Sequence, residues 1–291
     1  MSKGIIIKLF RTEVNQIISN IRLLQTYGIM EGIEKFDLGD SSKSRLRPIV
    51  EKQIVQNPKF ESWMMETFKV KRYGTSIFSG KEGIVYPYVG EADHFMLKVI
   101  IDPDAVREFK IASQIKGEKL VPIVDTFKVN VSNFDGAPHV FYCIFSERLS
   151  LDLSAYIKEI NSITNKIEEV IGEWTSDQFV NLPDDVMEPD PEKSTNMDSS
   201  VKAGDMIRLF NKLRKTFSRG DEKKQKIARE LIEVLELVYD RSGFLTGNDW
   251  DDARNVGMHK GGRIMPFDYG IATPIHKKSG DPVKVTKSID L

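Results

Sequence analysis

The grammar of the chain changes several times, and the change near residue 150 decides the class of fold. Upstream, segments 68–73, 83–89 and 94–101 are rich in β-branched and aromatic residues and are separated by glycines or an acidic turn, the signature of three successive strands. Asp102 and Pro103 then open a helix over 104–116, and 121–131 and 138–145 read as two further strands. After a connector at 146–151 the apolar spacing lengthens to that of helices, over about 153–173, 203–217 and 221–242. In the last of these Ile227, Leu231, Val234 and Val238 share one face. An order β-β-β-α-β-β followed by helices is α+β, with an antiparallel sheet in the first half.

Ahead of the first strand, Val14, Ile17, Ile18, Ile21 and Leu24 follow helical spacing over 12–27, with Thr12 as N-cap and Gly28 as stop. A polar stretch, 37–47, leads to a Pro-started helix over 48–56 and an apolar cluster at Trp63, Met64 and Met65. Residues 1–67 therefore read as a helical N-terminal extension whose apolar stripe must be covered, either by the core of a lobe or by docking to an acceptor or a second subunit. A second distinctive stretch, 184–200, holds six acids, one lysine, two prolines and almost no bulky apolar residue. It reads as a solvated connector, or else as a regulatory or partner-binding loop with Ser194 and Thr195 as phosphorylation candidates.

Charge and cysteine content narrow the partners. Forty-two Lys and Arg against 43 Asp and Glu, net −1, give no global field for nucleic acid or an anionic membrane. Nucleic-acid contact would have to come from a local patch, for which the basic tail offers Lys277, Lys278, Lys284 and Lys287. No apolar run is long enough for a bilayer span, so no membrane partner and a cytoplasmic location are expected. One cysteine, Cys143, excludes an internal disulfide and reads as a core residue, and four scattered histidines lack zinc-ligand spacing.

The chemistry concentrates in 24 residues, 247–270. An acidic loop runs to Asn255, a hairpin turns at Lys260-Gly261-Gly262, and a second strand leads to Asp268-Tyr269-Gly270. The hairpin would bring Asn255 and Asp268 side by side, two oxygen donors of the kind that suits Mg²⁺. Upstream, Lys98 stands in the apolar run Phe95-Met96-Leu97-Lys98-Val99-Ile100. Either it lies at a solvent-facing edge, or it faces an anion that offsets the cost of burying an ammonium.

Together these segments resemble the protein-kinase-like superfamily, in which an Asp-x-x-x-x-Asn loop precedes a hairpin and an Asp-Phe-Gly motif. The resemblance spans residues 68–272 and implies a bilobal fold: an antiparallel-sheet N-lobe over 68–149 and a reduced helical C-lobe over 150–291. It further implies that Asp268 and Asn255 hold Mg²⁺ (or Mn²⁺), that Lys98 holds the α and β phosphates of ATP, and that Glu108 pairs with Lys98. Gly74, Ser76, Phe78 and Gly80 would line a loop over the phosphates, and Glu147 and Leu149 would fall at the interlobe hinge that meets the adenine.

The resemblance also has departures. The position five residues before Asn255, where the family has its catalytic aspartate, is Trp250. Either an insertion leaves Asp249 as the base or Asp251 has taken the role. Only 21 residues follow Gly270, so the usual peptide-binding helices are missing, and the chain is similar to compact bacteriophage-encoded kinases in this respect. The implied function is phosphotransfer from ATP to a protein Ser or Thr hydroxyl. The alternative is a pseudokinase serving as a structural or interaction protein, such as a phage virion component.

Overall fold

The computed structural model describes residues 48–74, 78–79, 83–102, 105–134, 137–179, 203–247, 250, 255–270, 272–275 and 285–291. The expected helix at 12–27 and the acidic stretch 184–200 lie outside them.

The fold is α+β, and its sheet is built around the alternation of its central strands. Strand β1 (Lys71–Arg72), β2 (Phe78–Ser79), β3 (Gly83–Val89), β4 (His94–Ile100), β5 (Ile123–Phe134) and β6 (Ala137–Glu147) form one sheet in the order β1-β3-β4-β6-β5, with β2 on β3, all antiparallel. In β4 and β6, Leu97, Val99, Phe141, Cys143 and Phe145 point to one face, and Lys98, Ile100 and Ile144 to the other, as a period of two requires. Each face has its own cover and its own apolar core.

The outer face is covered by residues 48–68. A π-helical turn, Glu51–Val55, buries Ile54 and Val55, and helix α1 (Pro58–Phe68) buries Phe60 and Met64 against Phe127 and Phe145 of the sheet. Helix α1 begins where Asn57 Oδ1 accepts the Lys59 N–H at 3.0 Å with Pro58 in the first turn, and it ends at Lys69 in the left-handed region (φ 57°). Phe68 thus closes a helix, whereas the sequence reading made it the start of a strand. Its ring packs on Phe145 and Phe127, so tertiary burial claims it for the outer core.

The inner face meets helix α2 (Val106–Ile115), which buries Phe109, Ile111, Ala112 and Ile115. The same apolar core continues into α3 (Ile157–Phe179), α4 (Ala203–Thr216) and α5 (Glu222–Ser242). Asp221 caps α5 by accepting the Lys224 N–H, and Gly243, in the left-handed region, stops it. Two short antiparallel pairs follow: β7 (Phe244–Leu245) with β10 (Thr273–Pro274), and between them the hairpin of β8 (Val256–Met258) with β9 (Ile264–Pro266). Among the described residues no helix is long and apolar enough to cross a membrane.

The tail departs from expectation. Strand β11 (Ser288–Asp290) leaves the helical half and pairs in parallel with β5, Ser288 opposite Lys128 and Asp290 opposite Asn130. Lys287, expected in a basic patch, is instead ion-paired with Asp125, which also accepts from Lys116 at the end of α2 at 2.7 Å. Burial alone would raise the Asp125 carboxyl, but its hydrogen bonds to Lys116, Lys287 and the Thr126 N–H outweigh that and hold it below the ordinary carboxylate value. Lys277, Lys278 and Lys284 lie outside the described residues.

Candidate functional site

Lys98 projects from β4 toward α2, on the inner face of the sheet, and its ammonium is ion-paired with Glu108 in the first turn of that helix. The Glu108 side chain is only 1% exposed, so this carboxylate has been taken almost wholly out of water. Such a charge is stable only when matched by a partner. Gly83 makes room for the lysine stem: a Cβ there would sit 2.8 Å from the Val99 carbonyl and 3.2 Å from Lys98 Cγ. The sequence's apolar strand with one lysine is therefore a lysine facing an anion, and the anion belongs to α2.

The β8–β9 hairpin supplies the second half of the site. Gly262 takes a positive φ of 76° at the turn and its N–H donates to the His259 carbonyl. Val256 lies opposite Pro266, and the Phe267 N–H donates to the Asn255 carbonyl at 3.1 Å, so Asn255 and Asp268 flank the open end of the hairpin. Asp268 Oδ1 accepts the Gly270 N–H at 3.0 Å. Among the described residues that bond leaves the carboxylate most of its acceptor capacity. Tyr269 is fully buried, donates to the Pro266 carbonyl at 2.9 Å, and has its phenol pushed well above the ordinary value by burial, with the Glu108 and Asp268 charges adding to the shift. Helix α2 touches this segment directly, since Arg107 Nη1 donates to the Ala272 carbonyl at 3.0 Å. One helix thus fastens both Lys98 and the chain just beyond Asp268.

Among the described residues no group of three or more His, Cys, Asp and Glu side chains gathers as a metal site. A cation at Asn255 and Asp268 would rest on one carboxylate and one amide oxygen. That donor set fits Mg²⁺, which takes one or two carboxylates and completes its octahedron with water and substrate phosphates.

The remaining predicted positions divide. Gly74 is exposed with φ 76°, its carbonyl accepting from Arg72 at 3.0 Å, and Phe78 lies in β2 opposite Val85. Ser76, Gly80, Asp249 and Asp251 lie outside the described residues. Glu147 ends β6, where the sequence reading had already begun a connector; its N–H donates to the Pro122 carbonyl and its carboxylate meets His259 Nε2 at 2.8 Å. Leu149 packs on Gly257, and Ser150 exchanges two backbone hydrogen bonds of 2.9 Å with Met258. Lys260 at the hairpin tip reaches Asp93 at 2.8 Å. The hairpin is therefore sewn to the end of β6, to Ser150 and to the β3–β4 turn, a role the sequence did not disclose.

Trp250 stood out in the sequence as the residue in the expected place of the base, and its bond to Asp268 was not foreseen. It is fully buried, and its Nε1–H donates to the Asp268 carbonyl at 3.1 Å. The available signal was an indole in an otherwise acidic loop, a donor that burial obliges to find an acceptor.

No family model and no curated protein matches the chain by sequence. Among solved structures the chain is similar to a thermostable mutant of aminoglycoside phosphotransferase APH(4)-Ia in its apo form, at 12% identity over 73% of this chain and 71% of that one, with a TM-score of 0.31. A further variant of the same protein, in ternary complex with ADP and hygromycin B, matches at 12% identity over the same shares with a TM-score of 0.30.

Proposed function

We propose that the chain is an ATP- and Mg²⁺-dependent phosphotransferase whose acceptor is a Ser or Thr hydroxyl of a protein. The observation that carries this reading is the Lys98–Glu108 ion pair, made by a helix that also holds the segment following Asp268. Phosphoryl transfer asks a protein mainly for positioning and for neutralisation of phosphate charge. Lys98, steadied by Glu108, would meet the α and β phosphates, and Asp268 with Asn255 would hold the metal, which supplies charge neutralisation at the transferred group. Asp249 or Asp251 would orient the acceptor hydroxyl for in-line attack. A second reading, a pseudokinase acting as an interaction protein, is favoured by Trp250, which occupies the expected place of the base and is wholly buried.

Thermal unfolding with and without millimolar Mg-ATP tests the first step. A ligand at 100 times its Kd stabilises the folded state by about 2.7 kcal/mol. For a chain of this size that is roughly 5–10 °C. Asp268→Ala is expected to abolish the shift while the unliganded protein stays folded, and no shift in the wild type overturns the reading. Transfer from labelled ATP to proteins of a host lysate then separates enzyme from pseudokinase, and Asp249→Asn and Asp251→Asn identify the base.

A further inference from the structure

We propose that Trp250 is a positioning residue that aims the Asp268 carboxylate by holding the Asp268 peptide. The inference rests on the phosphotransfer reading and deepens it. An indole N–H is a donor only, so a buried tryptophan must be given one acceptor. Here the acceptor is the carbonyl of the metal-ligand candidate itself, at 3.1 Å across 18 positions of sequence. The indole also stands edge-on to the Tyr269 ring, with centroids 6.5 Å apart and planes at 78°. Tyr269 is in turn fastened to the Pro266 carbonyl, and the Gly270 N–H holds Asp268 Oδ1. The Asp268 peptide is thus held by its carbonyl, by its own side chain and through its neighbour's ring.

A carboxylate rides on its Cα, so turning the Asp268 peptide swings the oxygens. Metal coordination tolerates only about 10–20° of such misdirection. Turning that peptide would strand a buried indole N–H, which is why the bond resists it. The residue that replaces the family's aspartate has not merely filled space. It has become a strut for the second carboxylate of the site.

The test compares Trp250→Phe, which keeps an aromatic ring and removes the N–H, with Thr164→Val, which removes one fully buried hydroxyl donor whose bond, to the Ile160 carbonyl, stays within α3. The readouts are the Mn²⁺ concentration that half-saturates binding of a fluorescent ATP analogue, the analogue's affinity without metal, and the melting temperature. Trp250→Phe is expected to raise the Mn²⁺ requirement at least tenfold with metal-free affinity unchanged, and Thr164→Val to lower the melting temperature with less than a twofold change in Mn²⁺ requirement. If Trp250→Phe does not fold, replacement of Trp250 by 3-benzothienylalanine, which keeps the indole shape without its N–H, carries the same test. An unchanged Mn²⁺ requirement, or an equal rise in Thr164→Val, overturns the proposal alone. Wild-type protein that binds no nucleotide at any Mn²⁺ concentration overturns the phosphotransfer reading and this inference with it.

Discussion

Replacing Lys98 by Met removes the ammonium while keeping an unbranched stem in the space left by Gly83. The Glu108 carboxylate, 1% exposed, then loses the cation that faces it. It has two options, to stay ionised in the core or to take up a proton. Breaking a buried pair from one side costs about 3–5 kcal/mol. Protonation sets the ceiling: each pH unit above a carboxyl's intrinsic value near 4.3 is worth about 1.4 kcal/mol, so neutralising it at pH 7 costs about 3.7 kcal/mol and at pH 5 about 1 kcal/mol. In the variant, burial without a cation favours the neutral Glu108 carboxyl, so the folded state is favoured at low pH and its stability is lost as pH rises. Urea unfolding should therefore show Lys98→Met less stable than wild type by about 3–4 kcal/mol at pH 7 and by about 1 kcal/mol at pH 5. Adding Glu108→Leu should recover most of the deficit, since an apolar pair of similar volume is commonly neutral or better. A deficit below about 1 kcal/mol at pH 7, or one that fails to shrink at pH 5, would refute the argument that Glu108 depends on Lys98.

Three other substitutions probe the frame around the site. Asp125→Asn should cost about 1–3 kcal/mol at neutral pH by unsettling Lys116 and Lys287. Because the wild-type carboxyl is held below its unfolded value, that advantage exists above about pH 4 and fades as pH falls through the folded value, so the two urea midpoints should converge in acid. Gly257→Ala would place a Cβ 2.6 Å from Leu149 Cβ and 3.2 Å from the Ser150 carbonyl, and should destabilise by about 1–3 kcal/mol as the hairpin is forced off that segment. Gly261→Ala, whose nearest atom would be His259 Nδ1 at 3.5 Å, should stay within about 0.5 kcal/mol of wild type in the same denaturation assay.

What the sequence disclosed was local. The strands β3 to β6, the helices α2 to α5 and the β8–β9 hairpin each carry their own periodicity or turn, as the shared face of Ile227, Leu231, Val234 and Val238 does for α5. The apolar strand around Lys98 announced a lysine in need of an anion, and Glu108 stood at the right place in the next helix. Of α1 only the apolar cluster at Trp63, Met64 and Met65 was visible and its start at Asn57-Pro58 was not; the aromatic and basic residues from Phe68 onward looked like strand, and only the contacts of Phe68 with Phe127 and Phe145 decide otherwise. Strand β11 has three residues and no pattern of its own; its partner lies some 160 positions away, where periodicity carries no information. Trp250 and the stitching of His259 and Lys260 to Glu147 and Asp93 are likewise long-range matches of one donor to one acceptor.

The parallel pairing of β11 with β5 has a consequence for how the chain is made. Residues 128–130 leave the ribosome some 160 positions before residues 288–290, which at about 5–20 residues per second is an interval of roughly 8–30 s. Throughout it the outer edge of β5 has no strand partner among the described residues, the kind of template on which another chain can add a strand. The central meander can form in that time from neighbours in sequence, but its last edge closes only when the tail arrives. Synthesis of the helical half thus sets a clock on the sheet, and a nascent chain stalled between α5 and β11 is the species in which strand exchange between copies, or capture by a chaperone, would concentrate.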